Sequence, residues 1–185
     1  MRSIQVINVR WFNATAWYAL FLGKLLKESG HAVLILALPH SPAYAKAREW
    51  GLEVRALPLN TNNPLRIINL FYSLKKIIRD FSPDVVNCHR GESFFLWPLL
   101  RSKKHPFALV RTRGDQRLPK NNPINKLLHK HLCQAVITTN SRMRNHFAAK
   151  FRLGKDKLHL VPGGVDRQKF KPSPRAGNKV REKFG

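Results

Sequence analysis

Acidic residues are scarce in this chain of 185 residues. Ten Asp and Glu stand against 34 Lys and Arg, so the formal net charge is +24 and the isoelectric point is near 11.2. Such a positive field attracts polyanions: nucleic acid, anionic lipid headgroups or phosphorylated substrates. Because no nucleic-acid-binding motif accompanies the cations, we expect an anionic membrane surface or substrate and no nucleic acid.

Cysteines and long apolar runs are also few. Cys88 and Cys133 lie far apart without a metal-ligating partner at short spacing, which predicts two buried, reduced thiols in a cytosolic protein. The longest apolar run, Ala32 to Leu38, is too short to span a bilayer, and no signal peptide is visible. We therefore expect a cytoplasmic protein with only peripheral contact to the inner membrane face.

Several motifs of known enzyme classes are missing. The chain has no Walker loop, no Gly-x-Gly-x-x-Gly after the first apolar run and no Gly-x-Ser-x-Gly. His129 and His131 fall on different faces of a predicted helix without a third ligand, so we predict no metal site.

Apolar runs alternate with amphipathic segments along the whole chain, which predicts an α/β fold. The predicted strands are Ile4–Val9, Ala32–Leu38, Glu53–Leu57, Asp84–Cys88, Phe107–Arg111, Ala135–Thr139 and Leu158–Val161. The predicted helices run from Asn13 or Thr15 to Ser29, over Ser41–Trp50, from Pro64 through Phe81, and over Glu92–Leu100, Ile124–Cys133 and Ser141–Lys150. Pro98 should kink or end the fourth helix. This order predicts a Rossmann-like, mostly parallel sheet with helices on both faces.

Polar, small or charged residues follow the predicted strands, where open α/β sheets bind ligands. They are Asn13 and Ala14 after the first strand, His89, Arg90 and Glu92 after the fourth, Arg111, Arg113 and Asp115 at and after the fifth, and Gly163 and Gly164 after the last. The arginines suit phosphate, and the small residues leave backbone N–H groups open to an anion.

Structural roles compete with functional ones at three of these positions. His89 at a strand end is either a ligand contact or a hydrogen-bonded cap. Glu92 either acts on substrate or interacts favourably with the positive end of its helix. Asp115 either serves the reaction or pairs with Arg113 or Arg117.

The segment Val161–Asp166, followed by Phe170 and Pro172, resembles the turn that closes the N-terminal domain of family 4 glycosyltransferases. Three further segments resemble family elements in the same order: Gly30–Val33, Pro83–His89 and Val136–Ser141. Two loops depart from the family pattern. The loop after the first strand, Trp11–Thr15, lacks the frequent Gly-Gly pair. The loop after the fifth strand has Arg113, Gly114 and Asp115 where many members carry a His.

The resemblance implies the N-terminal, acceptor-side half of a two-domain GT-B transferase. Residues 1–171 correspond to that domain, and 172–185 to an interdomain linker and the start of a C-terminal domain that the chain lacks, so the chain alone should be inactive. The implied reaction is retaining transfer of a sugar from a nucleotide-sugar co-substrate, without metal or cofactor. The basic surface suits an anionic or lipid-linked glycan acceptor of the lipopolysaccharide type.

The resemblance also divides the site residues between the two substrates. Asp115 and His89 are the catalytic candidates, and Arg90, Arg111, Arg113 and Glu92 are the acceptor and phosphate candidates. The donor-facing candidates are Asn13, Ala14, Gly163 and Gly164. The rival interpretation is a non-catalytic basic module that binds nucleic acid or an anionic polymer.

Overall fold

The computed structural model of the chain contains a seven-stranded sheet with helices on both faces. The structure describes residues 1–165 and 170–184, without the side chains of 174–176 and 179. The strands are β1 (Arg2–Ile7), β2 (Ala32–Ala37), β3 (Glu53–Ala56), β4 (Val85–Cys88), β5 (Ala108–Arg113), β6 (Ala135–Thr138) and β7 (Leu158–Leu160). The α-helices are α1 (Ala14–Glu28), α2 (Pro42–Glu49), α3 (Pro64–Phe81), α4 (Leu96–Leu100), α5 (Pro123–Lys126), α6 (Ser141–Phe151) and α7 (Pro174–Phe184).

The strand order is β3-β2-β1-β4-β5-β6-β7, and every neighbouring pair is parallel. The first three strands extend the sheet in one direction from β1, and the last four extend it in the other. The connections after β1 and β4 therefore diverge, which leaves a crevice at the carboxyl ends of these strands. The predicted Rossmann-like α/β fold is confirmed, with a sheet that is parallel throughout.

Alternation along the strands builds two apolar cores. On one face, Ile4, Leu34 and Val86 pack with the buried sides of α3, α4 and α6. On the other face, Ile7 and Ile35 pack with the buried sides of α1 and α2. Strands β1, β2 and β4 are buried on both sides because crossover helices cover both faces, whereas the edge strands β3 and β7 are partly exposed.

Asparagine or serine caps five of the helices. The side chain of Asn13 accepts a hydrogen bond from the Ala16 amide at 3.1 Å, and thereby satisfies one free N–H group at the start of α1. Equivalent caps begin four more helices, at Ser41, Asn63, Asn122 and Asn140. The expected start of the first helix at Asn13 is thus confirmed.

One helix prediction was wrong in extent, and a second predicted helix has the expected extent but changes type along its length. Residues 92–95 are turns, and α4 begins only at Leu96, so Pro98 lies in its first turn, where a helix tolerates a missing N–H. Helix α5 continues into a π-helical segment, Leu127–Leu132, which widens the second half of the predicted helix.

The end of one strand also differs from prediction. Strand β5 extends two residues beyond the predicted Arg111 to Arg113, which places Arg111 inside the sheet. Helix α7 begins at Pro174, inside the segment that the resemblance assigns to a linker and the start of a further domain, and proline suits the first helical position.

The longest helix described is α3, with 18 residues. None of the helices in the described ranges is long and apolar enough to cross a membrane.

Candidate functional site

An apolar groove of about 510 Å³ opens at the crevice between α1 and the carboxyl ends of β4 to β7. Helix α1 supplies an aromatic and aliphatic wall, made of Trp17, Tyr18, Phe21, Leu22 and Leu25. The facing wall is formed by His89, Thr112, Gly114, Thr139 and residues 161–165. The groove therefore joins the first helix to the loops after four different strands.

A buried chain of hydrogen bonds holds His89 at the base of this groove. The ring Nε2 lies 2.8 Å from Gln5 Oε1, which also accepts from Asn87 Nδ2 at 3.2 Å. Thr112 Oγ1 donates to Asn87 Oδ1 at 2.8 Å, and Gln5 Nε2 donates to Ser3 Oγ at 2.7 Å. Because a carbonyl oxygen only accepts, this network places the proton on Nε2 of His89 and leaves a lone pair on Nδ1.

His89 stays neutral at physiological pH. Its side chain is only 2% exposed, and burial, followed by the nearby charge of Arg111, lowers its pKa to about 3. A neutral imidazole with a free Nδ1 accepts a hydrogen bond from a hydroxyl but does not supply a proton. Its pKa therefore suits recognition and orientation of a hydroxyl better than general-acid catalysis.

A second, polar pocket of about 320 Å³ lies on the other side of the loop after β1. It is lined by Asn8, Val9, Arg10, Trp11, Asn13, Asn60, Asn62, Arg90 and Glu92. These residues follow β1, β3 and β4, so three loops at the carboxyl edge of the sheet enclose it. We call it the polar pocket, and the first one the apolar groove.

Asn8 ties the three loops of the polar pocket together. Its side-chain amide donates to Asn60 Oδ1 at 3.0 Å and to the Glu92 carbonyl at 3.1 Å, and Asn60 Nδ2 donates to the Asn8 carbonyl at 3.0 Å. Asn8 Oδ1 is buried and has no hydrogen-bond partner among the described residues. An unpaired acceptor of this kind costs free energy unless a ligand or water donates to it.

Arg90 and Glu92 form an ion pair at the rim of this pocket. Arg90 Nη2 lies 2.8 Å from Glu92 Oε1, and Asn8 Nδ2 also contacts Glu92 Oε2 at 3.2 Å. Burial raises the pKa of Glu92, but the hydrogen bond from Arg90, a backbone hydrogen bond and the charges of Arg90 and Arg111 together outweigh burial, so the net pKa is lowered. Glu92 is thus an ionised acceptor for hydroxyl or amine groups.

Arg111 lies deeper than the sequence suggested. Its guanidinium is buried, and Nη1 donates to the carbonyls of Cys88 and Thr112 at 2.6 and 2.9 Å. Burial, followed by repulsion from Arg113, lowers its pKa to about 9. Its Nε and Nη2 meet no hydrogen-bond partner within the described ranges, and it lines neither pocket. The guanidinium joins the carboxyl ends of β4 and β5 beneath the loops.

Arg113 and Asp115 form a half-buried ion pair. Arg113 Nη2 lies 2.9 Å from Asp115 Oδ1 and 2.7 Å from the Arg117 carbonyl, so it holds the loop after β5 closed on itself. Burial lowers the pKa of Arg113, and Asp115 partly offsets this effect. Neither residue lines the apolar groove or the polar pocket.

The structure separates the predicted site residues into distinct groups. Ala14, His89, Gly163 and Gly164 line the apolar groove, whereas Asn13, Arg90 and Glu92 line the polar pocket. Arg113 and Asp115 pair beside them, and Arg111 lies below. Asp166, from the closing turn, lies outside the described residues.

Sequence reasoning missed several residues that line the two pockets. Asn8 follows β1 directly and Asn60 lies in the loop after β3, so the rule that ligands bind beyond the carboxyl ends of strands could have found them. Sequence reasoning also missed the network that holds His89, because its members Gln5, Asn87 and Thr112 lie inside strands, where no local signal marks a polar residue as part of a network.

Among the residues that the structure describes, no three His, Cys, Asp or Glu side chains are grouped so as to hold a metal ion. His129 is buried, with Nδ1 2.8 Å from the Asn125 carbonyl. His131 is exposed on the same π-helical segment.

The comparisons with known proteins agree with this geometry. The family model described as Glycosyltransferase Family 4 matches residues 15–169. No curated protein matches the chain at a significant level.

Among solved structures, a glycosyltransferase from Rickettsia africae is similar to this chain with a TM-score of 0.78 and 18% identity, over 99% of this chain and 49% of the other. HepE from Anabaena in complex with UDP-glucose has a TM-score of 0.76 and 14% identity, over 100% of this chain and 50% of HepE. The lipopolysaccharide outer core galactosyltransferase WaaB has a TM-score of 0.69 and 14% identity, over 94% of this chain and 49% of WaaB.

The chain thus spans about half the length of each of these structures. At these identities the likeness shows a shared fold, which is the GT-B half-domain. The family model, which covers most of the chain, shows the family: this chain belongs to glycosyltransferase family 4.

Proposed function

We propose that the chain is the acceptor-side domain of a retaining glycosyltransferase that moves a sugar from a nucleotide-sugar donor to an anionic or lipid-linked glycan. The observation that carries the proposal is the crevice at the carboxyl ends of β1 and β4, where Ala14, His89, Gly163 and Gly164 line one apolar groove. In this fold, groups from several strand ends meet there, as a transfer reaction between two substrates requires. We propose that neither a metal nor a cofactor takes part.

The donor is proposed to be a UDP-sugar, since HepE, which shares the fold, was solved with UDP-glucose. Its sugar would lie over the groove, within reach of His89 Nδ1 and of the backbone at Gly163 and Gly164. Both glycines are exposed, and a Cβ on Gly164 would meet no atom within 4 Å, so the backbone is open to an approaching ligand. Much of the binding of the nucleotide would come from groups beyond this domain, because the chain spans half of its structural relatives.

The acceptor is proposed to be anionic and of the lipopolysaccharide type. The chain carries 34 Lys and Arg against ten Asp and Glu, and its net charge of +24 attracts an anionic partner. WaaB, which shares the fold, is a lipopolysaccharide galactosyltransferase. Arg90 and Arg113 are the proposed contacts for phosphate or carboxylate groups of the acceptor, and Asp115 orients Arg113.

The exposed side of α3 is the proposed contact with the inner face of an anionic membrane. Leu65, Ile68 and Tyr72 are exposed and share one side of the helix by their spacing of three and four. Lys75, Lys76 and Arg79 follow them toward the end of the helix. Apolar side chains beside cations are the composition with which amphipathic helices bind anionic lipid surfaces.

The transfer reaction is tested with protein expressed from its complete reading frame. We expect UDP release from UDP-glucose or another UDP-sugar that depends on an added lipopolysaccharide-core acceptor, and no turnover by the isolated 185-residue chain. Turnover by the isolated chain, or release that ignores every acceptor, contradicts the proposal.

Membrane contact is tested by vesicle flotation. Phosphatidylglycerol vesicles should bind the chain and phosphatidylcholine vesicles should not, and about 1 M salt, with its Debye length of about 3 Å, should release it. The double change Leu65→Ser and Ile68→Ser should weaken binding, whereas Leu25→Ser, in the apolar groove, should not. Equal binding to both vesicle types rules out the electrostatic contact.

A further inference from the structure

We infer that the polar pocket binds one saccharide ring of the acceptor, with Asn8 and Asn62 as hydrogen-bonding partners and Trp11 as a stacking surface. This inference rests on the proposed function and assigns a place to the acceptor. The pocket is enclosed by the loops after β1, β3 and β4 and lies apart from the apolar groove.

Four asparagines give the pocket the hydrogen-bonding character that sugars require. Each amide side chain offers donors and an acceptor, and a sugar hydroxyl also donates and accepts. Asn8 is 1% exposed, and its amide donates to Asn60 and to Glu92, but its Oδ1 has no partner in the described part of the chain. A hydroxyl that donates to this oxygen would satisfy a buried acceptor that the protein leaves unpaired.

Trp11 supplies the apolar component of the site. Its side chain is 72% exposed at the rim, although a large aromatic side chain gains free energy when it is covered. A pyranose has one face of C–H groups, and this face packs on an indole while the hydroxyls around the ring reach the amides. The exposed aromatic and the unpaired amide oxygen thus fit two different parts of one ligand.

The charges of the pocket favour a saccharide over a nucleotide. Glu92 offsets the charge of Arg90 at 2.8 Å, so the lining is close to neutral apart from Arg10. A diphosphate would meet the Glu92 carboxylate, whereas a hydroxyl would donate to it. The volume of about 320 Å³ lies at the lower end of ligand pockets and suits a single ring rather than a nucleotide sugar.

The pocket and the groove share one wall. Arg10, Trp11 and Asn13 line the polar pocket, and the residue after Asn13, Ala14, lines the apolar groove. An acceptor ring held beside Trp11 would therefore direct a hydroxyl past the start of α1 toward the donor side. This adjacency is what a transfer between two bound sugars requires.

The test is a titration of the isotope-labelled 185-residue chain with methyl glycosides of glucose, galactose, mannose, N-acetylglucosamine and glucuronic acid. At least one should shift the indole N–H signal of Trp11 and the side-chain amide signals of Asn8 and Asn62 in two-dimensional NMR spectra. Trp11→Ala and Asn62→Ala should each weaken that binding about tenfold or more. The matched controls are Phe12→Ala, the adjacent exposed aromatic, and Asn69→Ala on α3, and both should leave binding unchanged.

The outcomes separate the pocket from the proposed function. Shifts confined to His89 and Thr112, or no shift with any glycoside, overturn the saccharide pocket. An unchanged acceptor KM in the complete enzyme with Trp11→Ala overturns it as well, while transfer itself stands. Glycoside binding at Trp11 without acceptor-dependent UDP release overturns the proposed reaction and leaves a saccharide-binding pocket.

Discussion

The apolar groove and the polar pocket meet at the peptide bond between Asn13 and Ala14, and their linings are opposite in character. The groove is walled by aromatic and aliphatic side chains of α1, with one neutral histidine at its base. The pocket is walled by amides, two arginines, a carboxylate and one exposed indole. A single loop thus divides the carboxyl edge of the sheet into two chemical environments.

Under the proposed function, this difference would divide the crevice between the two substrates. Apolar walls exclude water, and hydrogen bonds and charges act more strongly where water is excluded, so the groove suits the reacting centre. Amides and paired charges recognise a pattern of hydroxyls, so the pocket suits selection of the acceptor. Changes in the groove should therefore act on the rate, and changes in the pocket on binding.

The largest effect on activity is expected in the apolar groove, from a change at His89. His89→Ala in the complete enzyme should lower kcat/KM about a hundredfold, or about 2.7 kcal/mol of transition-state stabilisation, because a fixed hydroxyl contact is lost. The matched control is His129→Ala, which removes another buried neutral histidine that lines neither pocket. Steady-state kinetics and thermal melts are measured for both variants. Equal losses of activity would mean that His89 acts only through stability.

Asp115→Asn should have a smaller effect, because Asp115 lines neither pocket and contacts Arg113 at 2.9 Å. We expect kcat/KM to fall about tenfold, or about 1.4 kcal/mol, with the unfolding midpoint little changed. The control is Asp80→Asn, which breaks the exposed pair with Arg79 on α3. Parental rates for Asp115→Asn would make the pair a loop contact alone, and a loss as large as that of His89→Ala would place Asp115 at the reacting centre.

Acidification should destabilise the folded chain through two buried histidines. Burial is the largest cause that lowers the pKa of His89 to about 3 and of His129 to about 4, from 6.5. The folded state then binds protons less readily than the unfolded state, so stability is full above pH 6.5 and falls as the pH drops toward these values. Each histidine should contribute a slope of about 1.4 kcal/mol per pH unit between about pH 6 and 4.

Urea unfolding across this pH range measures the slope. His89→Ala should reduce it by about half, and the exposed His131→Ala should leave it unchanged. A stability that stays constant between pH 6 and 4 would contradict the buried neutral state of both rings.

The smallest expected effect is on the free energy of unfolding, and it distinguishes the helix-capping role of Asn13 from the ligand-binding role of Asn62 in the polar pocket. Asn13→Ala should cost about 1 kcal/mol of stability because the cap on the Ala16 amide is lost, and Asn13→Ser should restore it. Asn62→Ala, at an exposed position in the same pocket, should cost less than about 0.5 kcal/mol. Urea unfolding of the three variants gives the comparison, and equal costs for both alanine changes would mean that the Asn13 cap contributes nothing specific.

Most of the fold could be predicted because its signals are local. The continuous apolar run of β2 and the caps at Asn13 and Ser41 each specify an element by themselves. The end of β5 could not be predicted, because its last residues are polar in the sequence, although Arg111 and Thr112 are buried in the structure. The start of α4 was missed because the turns at 92–95 depend on packing against the sheet, and Pro98 is compatible with either a helix end or a first turn.

The candidate site could be predicted only as a set of positions. The sequence alone determined that polar and small residues follow the strands and that cations outnumber anions. It also determined that the closing turn resembles that of family 4. Composition and short motifs can be recognised without knowledge of which residues meet in the fold. Only the tertiary structure decided that Asn13 and Ala14 face different pockets, that Arg111 lies beneath the loops, and that Gln5 fixes the proton of His89. The physical reason is that the neighbouring strands β1 and β4 pair residues 82 positions apart, such as Gln5 and Asn87, and which side chains meet there depends on strand order and register.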